Sequence, residues 1–417
     1  MDGFDRLMKD RDRLLLATGI LRREKAFIGP EVLHIDLTNK CNFNCIACWC
    51  RSPLLGDKSM PEWEKKLSLS LDVVKGIFDD LGRMGGLRQV KIVGGGEPFM
   101  HPDILQVIRY IKEKDKNIEI DINTNFSLVD EGIAKCLFEL GLDSLTISLW
   151  AGTPATYARV HPNQTQATFY KIKDALVRID NMKKAAGRPR PRVTFHNVIF
   201  NLNYMDMRDM IDFALEVNAD NIQFVPVDTV KGKTETLLLD SGQRSELLDS
   251  LRGIRKNYAS GDCLYKNNAG NEITLSDFDS FVNRVERINM STGAYDEDVV
   301  EQYPCYAGWL FARVMATGDV VPCCKGHRMP MGNVHKNSFR NIWFSADYNE
   351  FRRNGLNLSK GHPYFCKMGN EADARTGCYN CDNLWQNIPM HRFLEKFKTS
   401  PVLLKAGEAL LKFAGEK

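Results

Sequence analysis

The residues best suited to chemistry in this chain are its cysteines. There are 12 in 417 residues. Cys41, Cys45, Cys48 and Cys50 share one short stretch, and six more lie between Cys305 and Cys381, leaving Cys136 and Cys263 apart. In a reducing cytosol thiols seldom pair into structural disulfides, so clustered cysteines read as metal ligands or catalytic thiols. Cys41-Asn-Phe-Asn-Cys45-Ile-Ala-Cys48 puts three thiolates on one tight loop. Such a loop can hold three irons of a [4Fe–4S] cube and leave the fourth iron open. On spacing alone, a zinc site completed by Cys50 is the alternative.

Gly94-Gly95-Gly96-Glu97-Pro98 is the second feature. Glycines at a strand end let a ligand approach the backbone, where carbonyls can accept from an ammonium group. The run lacks the Lys-Ser/Thr of a phosphate loop. Toward the C-terminus, Cys305, Cys323, Cys378 and Cys381 form two separated pairs, with Gly318 and Gly332-Asn333 between them. Pairs that need each other read as one four-thiolate site, for a cluster or for zinc. Cys324 or Cys366 could replace a ligand, and Cys366 leaves room for a second cluster.

These loops need elements to position them. From Val32 to Asp228, β-rich runs alternate with helical patterns, the mark of βα units around a parallel sheet. The expected strands are Val32–Leu37, Val90–Val93, Ile118–Asn123, Ser144–Leu149, Val193–Phe200 and Ile222–Val227. The expected helices are Leu71–Leu81, Ile104–Lys114, Asp130–Glu139, Ala167–Lys184 and Met205–Val217. The cysteine triplet follows the first strand and the glycine run follows the second. Six strands suit an incomplete barrel or an open doubly wound sheet.

The strands themselves favour a barrel. Strands buried on both faces read as continuous apolar runs. Here Ile118, Ile120 and Ile122 alternate with Glu119, Asp121 and Asn123, and Leu33, Ile35 and Leu37 with His34, Asp36 and Thr38. A polar lumen that holds a charged ligand accounts for this; a wet edge strand is the alternative. The expected class is therefore α/β, a partial (β/α)6 TIM-like barrel with a small Cys-rich C-terminal domain. Its parts are an N-terminal helical extension (1–29), the barrel (30–230), a helical connecting segment (231–304), the C-terminal domain (305–387) and a helical tail (388–417).

Composition narrows the class further. Lys and Arg total 56 against 53 Asp and Glu, so no electrostatic footprint for nucleic acid is expected. Residues 1–21 mix charged and apolar residues, unlike a signal peptide, and nothing approaches the roughly 18 apolar residues of a membrane span. A cytoplasmic protein is expected. The tail from Pro401 spaces Leu403, Leu404, Leu410, Leu411 and Phe413 among Lys405 and Lys412. Such a helix packs on its own domain or lies on a membrane surface.

Taken together, the triplet after strand one and Gly-Gly-Glu-Pro after strand two resemble the radical S-adenosylmethionine (SAM) superfamily over about residues 30–230. Thr124-Asn125 after strand three, Ile147-Ser148-Leu149 in strand four and Asn201 after strand five extend the match. The resemblance implies that Cys41, Cys45 and Cys48 hold a [4Fe–4S] cluster whose open iron chelates the methionine moiety. It places Gly94, Gly95, Gly96, Glu97, Asn125, Ser148 and Asn201 against SAM, with Ser148 on the ribose and Asn201 beside the adenine. An electron from a reductant such as flavodoxin or ferredoxin then yields a 5′-deoxyadenosyl radical. Cys305, Cys323, Cys378 and Cys381 are similar to the auxiliary-cluster domain of this superfamily in its short, Twitch form rather than the longer SPASM form, which implies one auxiliary [4Fe–4S] cluster. Three departures stand out. Ala47 replaces the aromatic that usually packs on adenine, with Trp49 just after Cys48; Phe126 stands where glycine is common; Cys50 is extra.

An auxiliary cluster suits oxidation of an alcohol to a ketone, because it can accept the electron of a ketyl-type radical. The expected substrate is a small polyhydroxyl molecule, a sugar or aminocyclitol. His34, Asp36, Glu119 and His196 are lumen-facing candidates for the base, and none is assigned. Epimerisation, with Cys263 or Cys50 as hydrogen donor, is the second reading. Modification of a ribosomal peptide is the third, and an iron–sulfur electron carrier the non-enzymatic one.

Overall fold

The computed structural model describes residues 11–23, 25–370 and 377–414. The start of the N-terminal extension (1–10) and the end of the tail (415–417) lie outside the described residues, as do the side chains of Leu411, Lys412 and Phe413.

Six parallel strands form the centre: β1 (Val32–Ile35), β2 (Gln89–Ile92), β3 (Glu119–Thr124), β4 (Ser144–Ile147), β5 (Arg192–Ile199) and β6 (Asn221–Pro226). They lie in chain order, each bonded to the next. A doubly wound sheet would reverse direction part-way, so the order is that of the partial barrel. Leu33, Ile35, Val90, Ile92, Ile120, Ile122, Leu145 and Ile147 are all fully buried on the outer face. In-register pairs such as Leu33 with Val90 and Val90 with Ile120 run across it. Helices cover this face with matching stripes. Ile104, Val107, Ile108 and Ile111 share one side of the helix Ile104–Lys114. The helix Leu71–Met84 is capped by Ser70 and buries Val74, Ile77, Phe78 and Leu81. Each such side chain stabilises by about 1.5–3 kcal/mol.

The sheet does not stop at six strands. Segment 231–304, expected to be helical, also carries β7 (Tyr258–Ala259), β8 (Leu264–Lys266) and β9 (Glu272–Ser276). β9 joins β6 in parallel. At the other edge β10 (Phe311–Val314) lies parallel to β1 and leads into β11 (Asp319–Val321) and β12 (Gly332–Asn333), both antiparallel. Among the described residues these twelve strands form one sheet. The pairing sets Arg313 beside His34, carrying the C-terminal cysteines to the rim of the barrel.

The tail helix Pro401–Ala414 packs on the first described helix, Arg11–Arg22. Leu403 is buried, Arg22 meets Glu408 at 3.1 Å, and Gly407 lies against Thr18. Among the described residues no helix is long and apolar enough to cross a membrane.

Candidate functional site

The loop after β1 carries Cys41, Cys45 and Cys48, each partly buried. Burial pushes the Cys41 thiol up to about 11 and raises Cys45 well above the ordinary range. Thiolates there need a positive partner, which the irons of a cluster supply. Cys48 is the exception: a hydrogen bond from Cys50, with sulfurs 3.7 Å apart, lowers it to about 7. Cys50 thus sits behind the triplet, against Cys48 and the Gly95 carbonyl.

Three side chains that the spacing did not mark hold this loop. Arg51 donates from Nε to the Gly95 carbonyl at 3.1 Å and from Nη2 to the Asn39 carbonyl. Its only signal was an isolated cation at the end of the cysteine stretch. His161, fully buried, has Nδ1 3.1 Å from Cys45 Sγ and Nε2 2.9 Å from the Leu149 carbonyl. Asn42 pairs with Asn125 at 2.9 Å and donates to Ser127 at 2.8 Å. Asn125 therefore bonds to the cysteine loop.

The glycines have a steric cause. Gly94 has φ 134°, and a Cβ on it would sit 2.3 Å from Asp36 Cγ. A Cβ on Gly96 would sit 2.3 Å from the Lys40 carbonyl oxygen and 2.5 Å from that of Thr38. The close approach that demands glycine is thus with the chain leading into the cysteine loop. Gly96→Ala is expected to cost about 1–3 kcal/mol and to reduce the iron bound after anaerobic reconstitution, measured by iron content and urea midpoint. Glu97 is buried, which pushes its carboxyl up to about 7. It accepts from Thr124 Oγ1 at 2.6 Å, from Asn125 N at 2.8 Å and from Phe99 N at 3.2 Å. It braces the ends of β2 and β3 against each other. Phe126 has φ 63°, so its preference for glycine is conformational.

Cys305, Cys323, Cys378 and Cys381 line one cavity, with Phe351, Phe365 and Met368. Burial raises Cys323 and Cys381 well above the ordinary thiol range. Among the described residues no three such side chains converge closely enough to hold a single metal ion. Four thiols around one shared cavity supply the ligand set of a cluster. Cys324 turns the other way, its Sγ 3.6 Å from His34 Nδ1 in the lumen. Cys366 lies in the turn Pro363–Lys367 and is not among the residues lining the cavity.

Comparison with known proteins bears on both cysteine groups. Residues 35–214 match the model of the radical SAM superfamily, and residues 305–382 match that of an iron–sulfur cluster-binding domain. The chain carries a radical SAM domain followed by an iron–sulfur cluster-binding domain. It is 23% identical over 368 residues to the tungsten-containing aldehyde ferredoxin oxidoreductase cofactor-modifying protein of Pyrococcus furiosus, covering 86% of this chain and 93% of that one. It is 26% identical over 216 residues to the GTP 3′,8-cyclase of Limosilactobacillus fermentum, covering 51% and 60%. In fold it is similar to Streptococcus suis SuiB bound to S-adenosylmethionine (TM-score 0.53, 17% identity, 78% and 68% covered). It is similar also to anSMEcpe with bound AdoMet (TM-score 0.56, 16% identity, 91% and 99% covered).

For a radical SAM enzyme, the ends of β4 and β5 carry an unfilled donor and an unfilled acceptor. Asn201 donates to the Thr236 carbonyl at 2.7 Å, but its Oδ1 is buried with no partner. Trp150 Nε1 is likewise buried and unpaired. Its backbone is left-handed (φ 58°) and its ring stacks on His161 at 5.7 Å. Buried polar atoms left without partners are costly, and a polar cosubstrate at this end of the barrel fits them. Ser148 Oγ, half-buried, lies 3.2 Å from Asn123 Oδ1 on the same rim. Trp49 turns toward the C-terminal domain, 5.2 Å from the His327 ring, so it does not replace the aromatic missing at Ala47.

The four base candidates separate. Asp36, 1% exposed, is locked to Arg313 by bonds of 2.9 and 2.7 Å. Glu119 sits at the N-terminal end of β3 beside Arg190, at 3.7 Å, away from the cysteine loops. That end of a strand is the bottom of the barrel, so alternation alone misplaced it. His34 and His196 stay in the lumen. Burial lowers both, His196 to about 4, so each is a neutral imidazole. Cys263, offered as a hydrogen donor, is in the turn between β7 and β8, bonded to Ser260; Cys50 lies behind the triplet. Neither faces the lumen.

Proposed function

We propose that Cys41, Cys45 and Cys48 hold the SAM-cleaving cluster and that Cys305, Cys323, Cys378 and Cys381 hold one auxiliary cluster. On this reading the enzyme oxidises a carbinol of a small polyhydroxyl substrate. The observation that carries the substrate class is the charge balance of the lumen. Lys91 meets Asp121 at 3.0 Å, Arg313 meets Asp36 at 2.7 Å, and Lys325 meets Asp228 at 2.6 Å and Asp382 at 3.3 Å. With each cation matched, this wall offers little to a phosphate or carboxylate. Beside these pairs stand the neutral groups His34, Ser148, His196 and Gln223, while Thr146 is already bonded to Asp121. Such groups suit the hydroxyls of a polyol. Lys325 also lines the auxiliary cavity, so the barrel mouth and that cavity share a wall.

When bound, the clusters and SAM supply the electron, the hydrogen-abstracting radical and an electron acceptor. With these groups bound, the substrate carbinol would give up a hydrogen atom from its carbon, the proton of its hydroxyl and one electron. The sum is SAM plus alcohol giving methionine, 5′-deoxyadenosine, ketone and a proton. His34 and His196, neutral and lumen-facing, are the groups that can take that proton. A ferredoxin- or flavodoxin-like reductant starts the cycle.

The test is a panel of sugars and aminocyclitols against peptides, with reconstituted protein, SAM and dithionite. One ketone per 5′-deoxyadenosine from a polyol is expected. A mass change in a peptide, with no ketone from any polyol, overturns the reading.

Epimerisation has one observation in its favour: the Cys324 thiol faces the lumen beside His34. Cys324→Ser separates the two. Ketone formation is expected to continue within about threefold, the scale of a near-isosteric change at a side chain that takes no part in the chemistry. Were Cys324 the hydrogen donor, product would vanish while 5′-deoxyadenosine release continued.

A further inference from the structure

Arg352 is a buried cation with no counter-ion. It has no exposed surface and lies in the helix Ala346–Asn357. Its Nε donates to the Gly308 carbonyl and its Nη1 to Asn349 Oδ1, both at 2.7 Å. Nη2 is buried without a partner. Among the described residues no carboxylate pairs with it. Its guanidinium carbon lies 4.6 Å from the Trp343 ring centroid and 4.8 Å from that of Tyr348. Cation–π contacts are worth about 2 kcal/mol each when desolvated, whereas burying an unpaired charge costs several. Burial alone pulls the guanidinium down to about 9.

The position of this charge suggests what balances it. Gly308 stands three residues after Cys305. Gly355, one turn beyond Arg352, accepts from Cys305 N at 2.8 Å. Tyr348, beneath the guanidinium, donates to the Val321 carbonyl at 3.4 Å, two residues before Cys323. Phe351, the preceding residue, lines the four-thiol cavity. The cation is therefore flanked by the segments carrying two of the four thiols. A [4Fe–4S] core held by four thiolates is a net anion, and it becomes more negative on reduction.

We propose that Arg352 is the built-in counter-charge of the auxiliary cluster, a positioning residue that raises its reduction potential and so favours its acceptance of an electron. This rests on the assignment of an auxiliary cluster to the four thiols. It does not depend on the substrate, since the potential is read without one.

The test is an EPR-monitored redox titration of full-length reconstituted protein, following the reduced-cluster signal that SAM does not perturb. Arg352→Met should bind an electron at least tenfold less tightly at that site, a fall of 59 mV for a one-electron couple. Arg352→Lys, which keeps the charge, should stay close to wild type. Where Arg352→Met fails to retain the cluster, Arg352→Gln, still able to donate to Gly308, carries the same test. A second measurement needs no signal: Arg352→Met should raise the urea midpoint of chelator-stripped protein and shrink the gain on reconstitution. An unchanged potential at full iron content, or an equal fall in the methionine and lysine variants, overturns the proposal. Absence of any SAM-insensitive cluster from wild type would instead sink the assignment of the auxiliary site.

Discussion

Replacing Arg313 with methionine should lower the stability of the folded chain by about 3–5 kcal/mol, the cost of leaving a buried charge without its partner. Asp36 accepts both guanidinium bonds and a backbone bond from Gly95, and it packs against Gly94. The pair thus joins β10, β1 and the glycine run. Burial already holds the Asp36 carboxyl above its ordinary range, against the pull of Arg313. Without Arg313 it rises further, and the sign of the pH dependence follows. A carboxyl raised in the folded state is protonated there at pH values where the unfolded chain is ionised, so its variant loses stability as pH rises. Arg313→Met should therefore have a higher urea midpoint at pH 5.5 than at pH 8, relative to wild type. Adding Asp36→Asn should recover more than half of the loss at pH 8. An additive double variant would mean that the pair is not a coupled unit.

The second large effect separates the two thiol sites. Cys45→Ala should abolish 5′-deoxyadenosine release, by at least about 10³-fold if cleavage depends wholly on that cluster, while the auxiliary iron remains. Cys323→Ala should do the reverse: SAM cleavage persists, auxiliary iron falls and ketone formation is lost. Iron content and 5′-deoxyadenosine assayed on the same samples decide it. Loss of cleavage in both variants would mean that the sites cannot be loaded independently.

The barrel was legible because its signal is local and repeated. Alternation in Glu119–Asn123 and His34–Thr38 announced a polar lumen, and apolar stripes of period 3.6 marked the helices. The triplet and Gly-Gly-Glu-Pro were legible as residue types at short spacing. What escaped was set by distant partners. β9 is a five-residue strand whose place depends on β6. β10 reads as any apolar run until Arg313 is seen opposite His34. Arg51, His161 and Trp150 matter for what they touch, and Glu119 faced the right way at the wrong height. Phe126 shows a different limit, since its left-handed backbone looks like an ordinary substitution in sequence.

β1 is an interior strand, bonded to β2 on one side and β10 on the other. A chain ending before residue 305 would leave it as a bare apolar edge, open to pairing with a neighbour. The segment bearing Cys305 to Cys381 is therefore not an ornament that can be shed from an otherwise finished barrel. It also stands on the same continuous sheet as the strand that leads into Cys41, Cys45 and Cys48. The two cysteine groups are therefore placed relative to each other by backbone hydrogen bonds through β10 and β1, and not by a linker.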